Sequence, residues 1–258
     1  MDCTISSLHY SPIKSLSFQQ AKFCLIKKNL GIVNDRIFAF SRNIKLDKAK
    51  AIAKNPHQRH LINFLTLKNS PSLNKYNFVY EKGLISLFLK NKNIISIETG
   101  KLKETTKLSN KLLEIEKTLI GPIYLLKNLK YPFFDTTNSN SVANTISLIN
   151  LNSIKDFETK INRKIEFERF RGNIYVKGID AFEERKWINK IITINKIDFK
   201  VLKHIPRCSA TNLKVNSVEQ DINLPLKLKK TYGHIEMGIY LSPLHNGKIS
   251  LNDKITLG

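Results

Sequence analysis

The chain has few of the residues that would lock it covalently or carry it through a bilayer. Its 258 residues include three cysteines, Cys3, Cys24 and Cys208. Three cannot make a disulfide framework, and no two form a C-x-x-C pair. That scarcity fits a reducing compartment, and the C-x4-C-x2-C spacing of a plant-type iron–sulfur centre is missing. Long apolar runs are also missing. The longest, such as Leu84-Ile85-Ser86-Leu87-Phe88-Leu89, fall well short of the ~20 residues that span a bilayer. The opening Met1-Asp2-Cys3-Thr4 has no basic stretch ahead of an apolar one, so no secretory signal is expected. These absences lead to the expectation of a soluble cytoplasmic protein.

Histidine is sparse as well, with six in the chain and no H-x-x-x-H. His57 and His60 are the nearest pair and read as surface. His204 precedes Cys208 by four positions, but Pro206 between them argues against a helix that would join the two side chains. There is no G-x-x-x-x-G-K-[ST], no G-x-G-x-x-G and no G-x-S-x-G, which removes the commonest nucleotide-binding and hydrolase signatures.

Acidic residues number 21 against 43 basic ones, for a formal charge of +22. Such an excess invites a nucleic-acid reading, because phosphate neutralisation dominates that affinity. The detail points elsewhere: eight of the basic residues are Arg, the rest Lys, and they are scattered. Abundant Lys, Asn and Ile are what an AT-rich coding bias produces, so nucleic acid is not the expected partner. A diffuse positive field still attracts an anionic cofactor or an acidic redox partner.

Hydrophobic content of 41% with 25% charged residues is ordinary for a globular protein, and the length allows one large or two small domains. Period-two and continuous apolar stretches bounded by Asn, Gly and Pro predict strands. They fall at Cys3–Tyr10, Ala21–Ile26, Arg36–Ser41, Leu61–Leu67, Asn77–Glu81 and Leu84–Lys90. Lys45–Lys54 reads as a short helix or loop. Thr105–Leu119 is predicted as a helix, with Leu108, Leu112, Leu113, Ile115 and Leu119 on one stripe and Gly121-Pro122 ending it.

Strands are expected again at Ile123–Leu129, Ile146–Asn150, Asn173–Lys177, Ile191–Ile194 and Lys200–Ile205, with a polar loop at Asp135–Asn144. Helices are expected at Asn152–Ile161, capped by Asn152 or Ser153, and at Leu224–Thr231, where Pro225 suits the first turn. The fold class is mainly β with a few helices, β-barrel-like, in two halves, 1–100 and 101–258.

Two stretches carry the chemistry. Arg169-Phe170-Arg171-Gly172-Asn173-Ile174-Tyr175-Val176 places Arg171 and Asn173 two apart, on one face if the strand includes them, and Arg169 shares that parity. Pro206-Arg207-Cys208-Ser209-Ala210-Thr211-Asn212 puts a lone thiol beside Arg207. A thiolate is a soft metal ligand, favoured by neighbouring cations. Guanidinium and amide groups give forked, charge-assisted bonds to phosphate and pterin-like edges. Cys3 and Cys24, on expected strands, read as core.

The order of these pieces resembles the MOSC-domain family. The resemblance begins with Tyr10-Ser11-Pro12-Ile13-Lys14-Ser15-Leu16 and with Gly31 through Asn34-Asp35-Arg36-Ile37-Phe38. It continues through Phe134-Asp135, Ile146–Asn150, the F-R-x-N stretch and R-C-x-x-T-N. Tyr232-Gly233-His234, Gly238-Ile239-Tyr240, Gly247-Lys248-Ile249 and Asn252-Asp253 complete it. The resemblance implies joined β-barrel domains with a crevice for the molybdenum cofactor (molybdopterin). Cys208 is then the metal ligand and the catalytic residue. Lys14, Ser15, Arg36, Arg171, Asn173, Arg207 and Tyr240 are then cofactor contacts.

Two departures stand out. Gly172 replaces a proline often found in the family, which loosens the backbone, and a Thr-Ser pair expected near Ala143-Asn144 is missing. The implied activity is two-electron oxidoreduction of N-oxygenated or related small substrates, as in the amidoxime-reducing component, with a separate electron-transfer protein as donor and no membrane association. A non-catalytic cofactor or sulfur carrier and a basic polyanion-binding protein are the alternative readings.

Overall fold

A computed structural model of the protein describes residues 2–134 and 145–258. The expected Asp135–Asn144 loop, Asp135 of the Phe134-Asp135 motif and the Ala143-Asn144 position lie outside the described residues. In chain order the first strands are β1 (Thr4–Tyr10), β2 (Gln19–Ala21), β3 (Phe23–Lys27), β4 (Gly31–Ile32) and β5 (Phe38–Phe40). Helix α1 (Leu46–Lys54) follows, then β6 (Tyr76–Glu81), β7 (Leu84–Leu89) and β8 (Lys92–Glu98), helix α2 (Leu102–Ile115) and β9 (Leu125–Lys127). The remainder is β10 (Ile146–Asn150), α3 (Leu151–Lys160), β11 (Ile174–Lys177), β12 (Ile191–Ile194), β13 (Ile197–Pro206), α4 (Leu224–Tyr232), β14 (Glu236–Pro243), β15 (Gly247–Ser250) and β16 (Ile255–Leu257).

The protein is mainly β with four α-helices among the described residues, and no sheet closes into a barrel. The largest sheet has eight strands in the order β16-β12-β13-β14-β10-β11-β1-β2. At its centre β10 is buried along its whole length, as its unbroken Ile-Ser-Leu-Ile-Asn run demands. It pairs parallel to β11 and antiparallel to β14.

A small sheet, β15-β3-β4, covers one face. Alternation in β3 turns Cys24 and Ile26 inward and leaves Phe23, Leu25 and Lys27 exposed. Cys3 and Cys24 both sit in this core, at 1% and 4% exposure, and burial pushes both thiols up to about 12. They are packing residues, as expected. A second core joins the three-stranded β6-β7-β8 meander, β5 and the Leu108–Leu112 stripe of α2. A third lies between α3, α4 and the outer side of β11.

The halves split at residue 100 do not correspond to separate sheets. β1 pairs with β11 in the large sheet, β2 pairs with β1 at its edge, and β3 pairs with β15. The N-terminal turn that follows β1 is thereby brought against the segment that precedes β11. That juxtaposition builds the site.

Candidate functional site

Five segments meet where β1 leaves the large sheet: the turn after β1, the loop before β5, the stretch at Phe133 and Phe134, the turn before β11 and the turn after β13. The first two are tied together by backbone bonds from Arg36 to the Ser11 carbonyl (2.6 Å) and from Lys14 to the Phe38 carbonyl (2.8 Å). Ser15 and Arg36 both take positive φ, 59° and 54°, so both turns are tight. Asp35 is 1% exposed. Its carboxylate accepts from the Ser11 amide at 2.7 Å and from the adjacent Arg36 guanidinium.

The expected strand geometry for Arg171 and Asn173 is not what forms. β11 begins at Ile174, and Arg171 closes a 3₁₀ turn, Phe167–Phe170, in the left-handed conformation (φ 53°, ψ 43°). Left-handed backbone at Arg171 sends its guanidinium away from the sheet, to the Leu16 carbonyl at 2.5 Å and over the Phe18 ring at 4.6 Å. Arg36 lies over the same ring at 5.9 Å and over Phe134 at 5.0 Å. Two guanidinium groups therefore share one aromatic ring. Burial, followed by the neighbouring Arg36 charge, lowers Arg171 to about 10. It stays cationic at neutral pH, next to a like charge.

Asn173 does not reach into that site. Its side-chain oxygen accepts from the amide and the hydroxyl of Ser147 (3.1 and 2.8 Å), and its nitrogen donates to the His9 carbonyl and to Asp35 (3.1 and 3.4 Å). A carboxamide has two donor hydrogens and two acceptor lone pairs, so all four are engaged within the protein. Asn173 is a buried knot joining β1, β10 and the Asp35 turn.

Arg207 is similar. It is 8% exposed and donates to the Phe170 carbonyl at 2.6 Å and, through two nitrogens, to the Met237 carbonyl. It clamps the turn before β11 to β14. Burial lowers this guanidinium too, while Tyr240, Tyr175 and Cys208 act on it in the opposite sense.

Arg169, which shares the parity of Arg171 and Asn173, is 4% exposed. It bonds the carbonyls of Thr211, Asn212 and Leu213 and pairs with Asp221 at 2.6 Å. Together Arg169 and Arg207 fix the Cys208 turn from both sides. Cys208 itself is free and exposed, at the head of the 3₁₀ turn Ser209–Asn212, with its carbonyl accepting from the Thr211 hydroxyl at 2.8 Å. Its thiol lies in electrostatic reach of both Arg171 and Arg207.

Lys14 is 3% exposed and donates to the Phe133 carbonyl at 3.2 Å. Tyr240 sits half-buried on β14, opposite Ser147 and Lys203. Gly172 is no loosened link. Its amide donates to the Tyr175 hydroxyl at 2.8 Å, a bond proline cannot make, and a Cβ there would meet Ile149 and Tyr175 at 2.7 and 2.9 Å. Beside Phe18 and Arg171 a cleft of about 250 Å³ opens toward Ala210, Asn74 and Tyr76.

A family model described as MOSC domain matches residues 135–256, the span that holds Arg171, Cys208 and Tyr240. Residues 135–256 are a MOSC domain. The match opens well beyond the expected boundary near residue 100, so the N-terminal contributors to the site, Lys14, Ser15 and Arg36, stand outside the matched span.

Curated relatives of this chain include mitochondrial amidoxime reducing component 2 of Macaca fascicularis, 36% identical over 80 residues, and of Homo sapiens, 35% identical over 80 residues. Each alignment covers 31% of this chain and 23% of the relative. The Bos taurus protein of the same name is 28% identical over 115 residues, covering 40% of this chain and 34% of the relative. The chain thus spans about a quarter to a third of the length of these relatives.

Among solved structures, YiiM from Geobacillus stearothermophilus has a TM-score of 0.35 at 18% identity, over 44% of this chain and 53% of that one. The YuaD protein of Bacillus subtilis has a TM-score of 0.44 at 10% identity, over 99% and 94%. No helix among the described residues is long and apolar enough to cross a membrane.

Phe18 and the arginine clamps are the site residues that sequence reasoning missed. Spacing carries no signal for Phe18, because its partners come from two distant turns. The eight arginines among so many lysines were the available hint: guanidinium is the cation suited to several simultaneous carbonyl bonds.

Proposed function

We propose that this MOSC protein binds the molybdenum cofactor and uses it in two-electron oxidoreduction of N-oxygenated or related small substrates, with a separate protein as electron donor. The observation that carries the reading is an exposed thiol in electrostatic reach of Arg171, whose guanidinium shares the Phe18 ring with Arg36, the two having Asp35 as their one paired carboxylate among the described residues. Asp35 pairs with Arg36, while Arg171 rests on a carbonyl and a ring. That donor set fits the group: a soft thiol for the metal and two forked cations for phosphate.

Cys208 would hold the metal, and Arg171 and Arg36 the phosphate, with Lys14, Ser15 and Tyr240 at the margins. Arg207 and Asn173 would serve by shaping the site. When bound, the cofactor would supply the redox centre. The protein's part is to expose one thiol, hold two guanidinium groups against one ring and keep the surrounding turns still. Amidoxime reducing component 2, the named activity of several relatives, supports the substrate class.

The test is molybdenum and pterin per chain on protein from a host that makes the cofactor, with Cys208→Ala alongside. The expected result is near-stoichiometric metal and pterin in the parent, with metal lost or altered in the variant. N-oxide and sulfoxide reduction would then be assayed with a competent donor. Folded parent protein that carries neither metal nor pterin after reconstitution overturns the reading.

A further inference from the structure

Arg59 lies in none of the segments that meet at the site, yet it governs one of them. It is 6% exposed, and among the described residues its hydrogen-bond partners are all backbone carbonyls. Nε donates to Ile52 at 2.9 Å and Nη2 to Ala53 at 2.8 Å, both in the last turn of α1. Nη1 donates to Tyr131 and Pro132 at 2.8 and 2.9 Å. Its guanidinium face rests 4.0 Å from the centre of the Phe133 ring. One side chain therefore caps the helix, where cations are favoured, and clamps the 131–133 segment to it.

The next two residues of that segment are what the site cations lean on. The Phe133 carbonyl takes the Lys14 ammonium, and the Phe133 amide bonds the Arg36 carbonyl at 2.7 Å. The Phe134 ring faces the Arg36 guanidinium at 5.0 Å. Asn128 supports the same turn, accepting from the Tyr131 amide at 2.7 Å and donating to the Ala53 carbonyl at 2.7 Å. A contiguous chain of contacts thus runs from the end of α1 to Arg36.

We infer that Arg59 is a positioning residue: by clamping the Tyr131 and Pro132 carbonyls it aims Arg36 at the anion. The inference rests on the anion-site reading proposed above. Lysine in its place keeps the charge but loses the planar fork. It reaches one or two of the four carbonyls and leaves the segment free to shift.

The experiment titrates the full chain with inorganic pyrophosphate by calorimetry, well below the melting temperature. Arg59→Lys is expected to weaken binding about tenfold, a loss of about 1.4 kcal/mol. A general loss of stability would move affinity in every background, so two further variants separate the cases. Arg59→Lys combined with Arg36→Ala should bind within about twofold of Arg36→Ala alone, because Arg59 acts through that cation. Ile52→Val, a small packing loss in the same helix, should leave affinity unchanged.

Additive losses in the double variant, full affinity in Arg59→Lys, or equal weakening by Ile52→Val each overturn the positioning role. A parent that does not bind pyrophosphate at all instead overturns the anion-site reading, and the positioning role falls with it. The two failures are read from different samples.

Discussion

Asn173, Arg207 and Arg169 show how one residue type can change meaning once its partners are known. Each is polar, and each lies in or beside the two stretches that carry the chemistry. Each is buried and bonded to groups of the protein. An unmade bond at such a site costs about 1–3 kcal/mol, so these side chains hold turns in place. Glu184 is a buried carboxyl of another kind, with 0% exposure. Its hydrogen-bond donors are neutral: Asn150 at 3.1 Å and Ser153 at 2.9 Å. Burial outweighs those bonds and raises its pKa above the usual carboxylate range.

A raised acid holds its proton longer in the folded state than in the unfolded chain. Its contribution is therefore most favourable at low pH, and is lost as pH rises from the unfolded value through the raised folded one. Glu184→Gln cannot ionise. Its stability relative to the parent, from urea unfolding at a series of pH values, should improve as pH rises through that window. A difference that stays flat with pH would mean that Glu184 ionises normally in the fold.

At the scale of elements, burial pattern and chain composition located most of the structure. Ile191–Ile194 and Ile146–Asn150 were read residue for residue, and Leu224–Thr231 falls one short of α4. The errors have tertiary causes. The helix read as Thr105–Leu119 begins at Leu102 and ends at Ile115. Glu116 is 3% exposed, paired with Lys75 at 2.7 Å and bonded by Thr118, and these contacts turn the chain off the helix before Leu119.

Leu61–Leu67, read as a strand, instead opens with a 3₁₀ turn and meets Ser41 through a single bridge at Phe64. β8, overlooked, is the edge of its meander and mostly exposed, so its apolar signal is weak. Gly238 shows how closely the central strands approach. It takes φ +82° in β14, and a Cβ there would fall on the Leu148 carbonyl oxygen of β10. Gly238→Ala should cost more than about 3 kcal/mol in urea unfolding. Gly233→Ala, with φ +80° and open space around it, should cost only about 1–2 kcal/mol. Equal costs would show that backbone conformation alone, and not the approach of β14 to β10, dictates glycine at Gly238.

For the molecule as a whole, the proposed anion site would depend on the N-terminal strands docking against the MOSC domain, since Arg36 and Arg171 come from opposite sides of that junction. Ligand bound there should stabilise both parts together. Occupancy at a hundredfold excess over Kd adds about 2.7 kcal/mol, or roughly 5–10 °C in melting temperature for a chain of this size. Cofactor-loaded parent should melt higher than unloaded parent by that order, and Arg171→Ala should show little of the difference. An undiminished shift in the variant would remove Arg171 from the binding set.

The mainly β architecture and the buried fate of Cys3 and Cys24 were legible in the linear chain. Side-chain polarity and its period report burial directly, and a thiol between an arginine and polar residues is visible as such. What emerged only on folding is which polar groups remain available to a ligand. Arg171 reaches the Leu16 carbonyl, 155 residues away, and Asn173 reaches that of His9, 164 away. Every residue carries a carbonyl of the same kind, so no local pattern says which arginine will be held by one. Packing of the β1 turn against the segment before β11 makes that choice, leaving Arg36 and Arg171 at Phe18 while it engages Asn173 and Arg207 elsewhere.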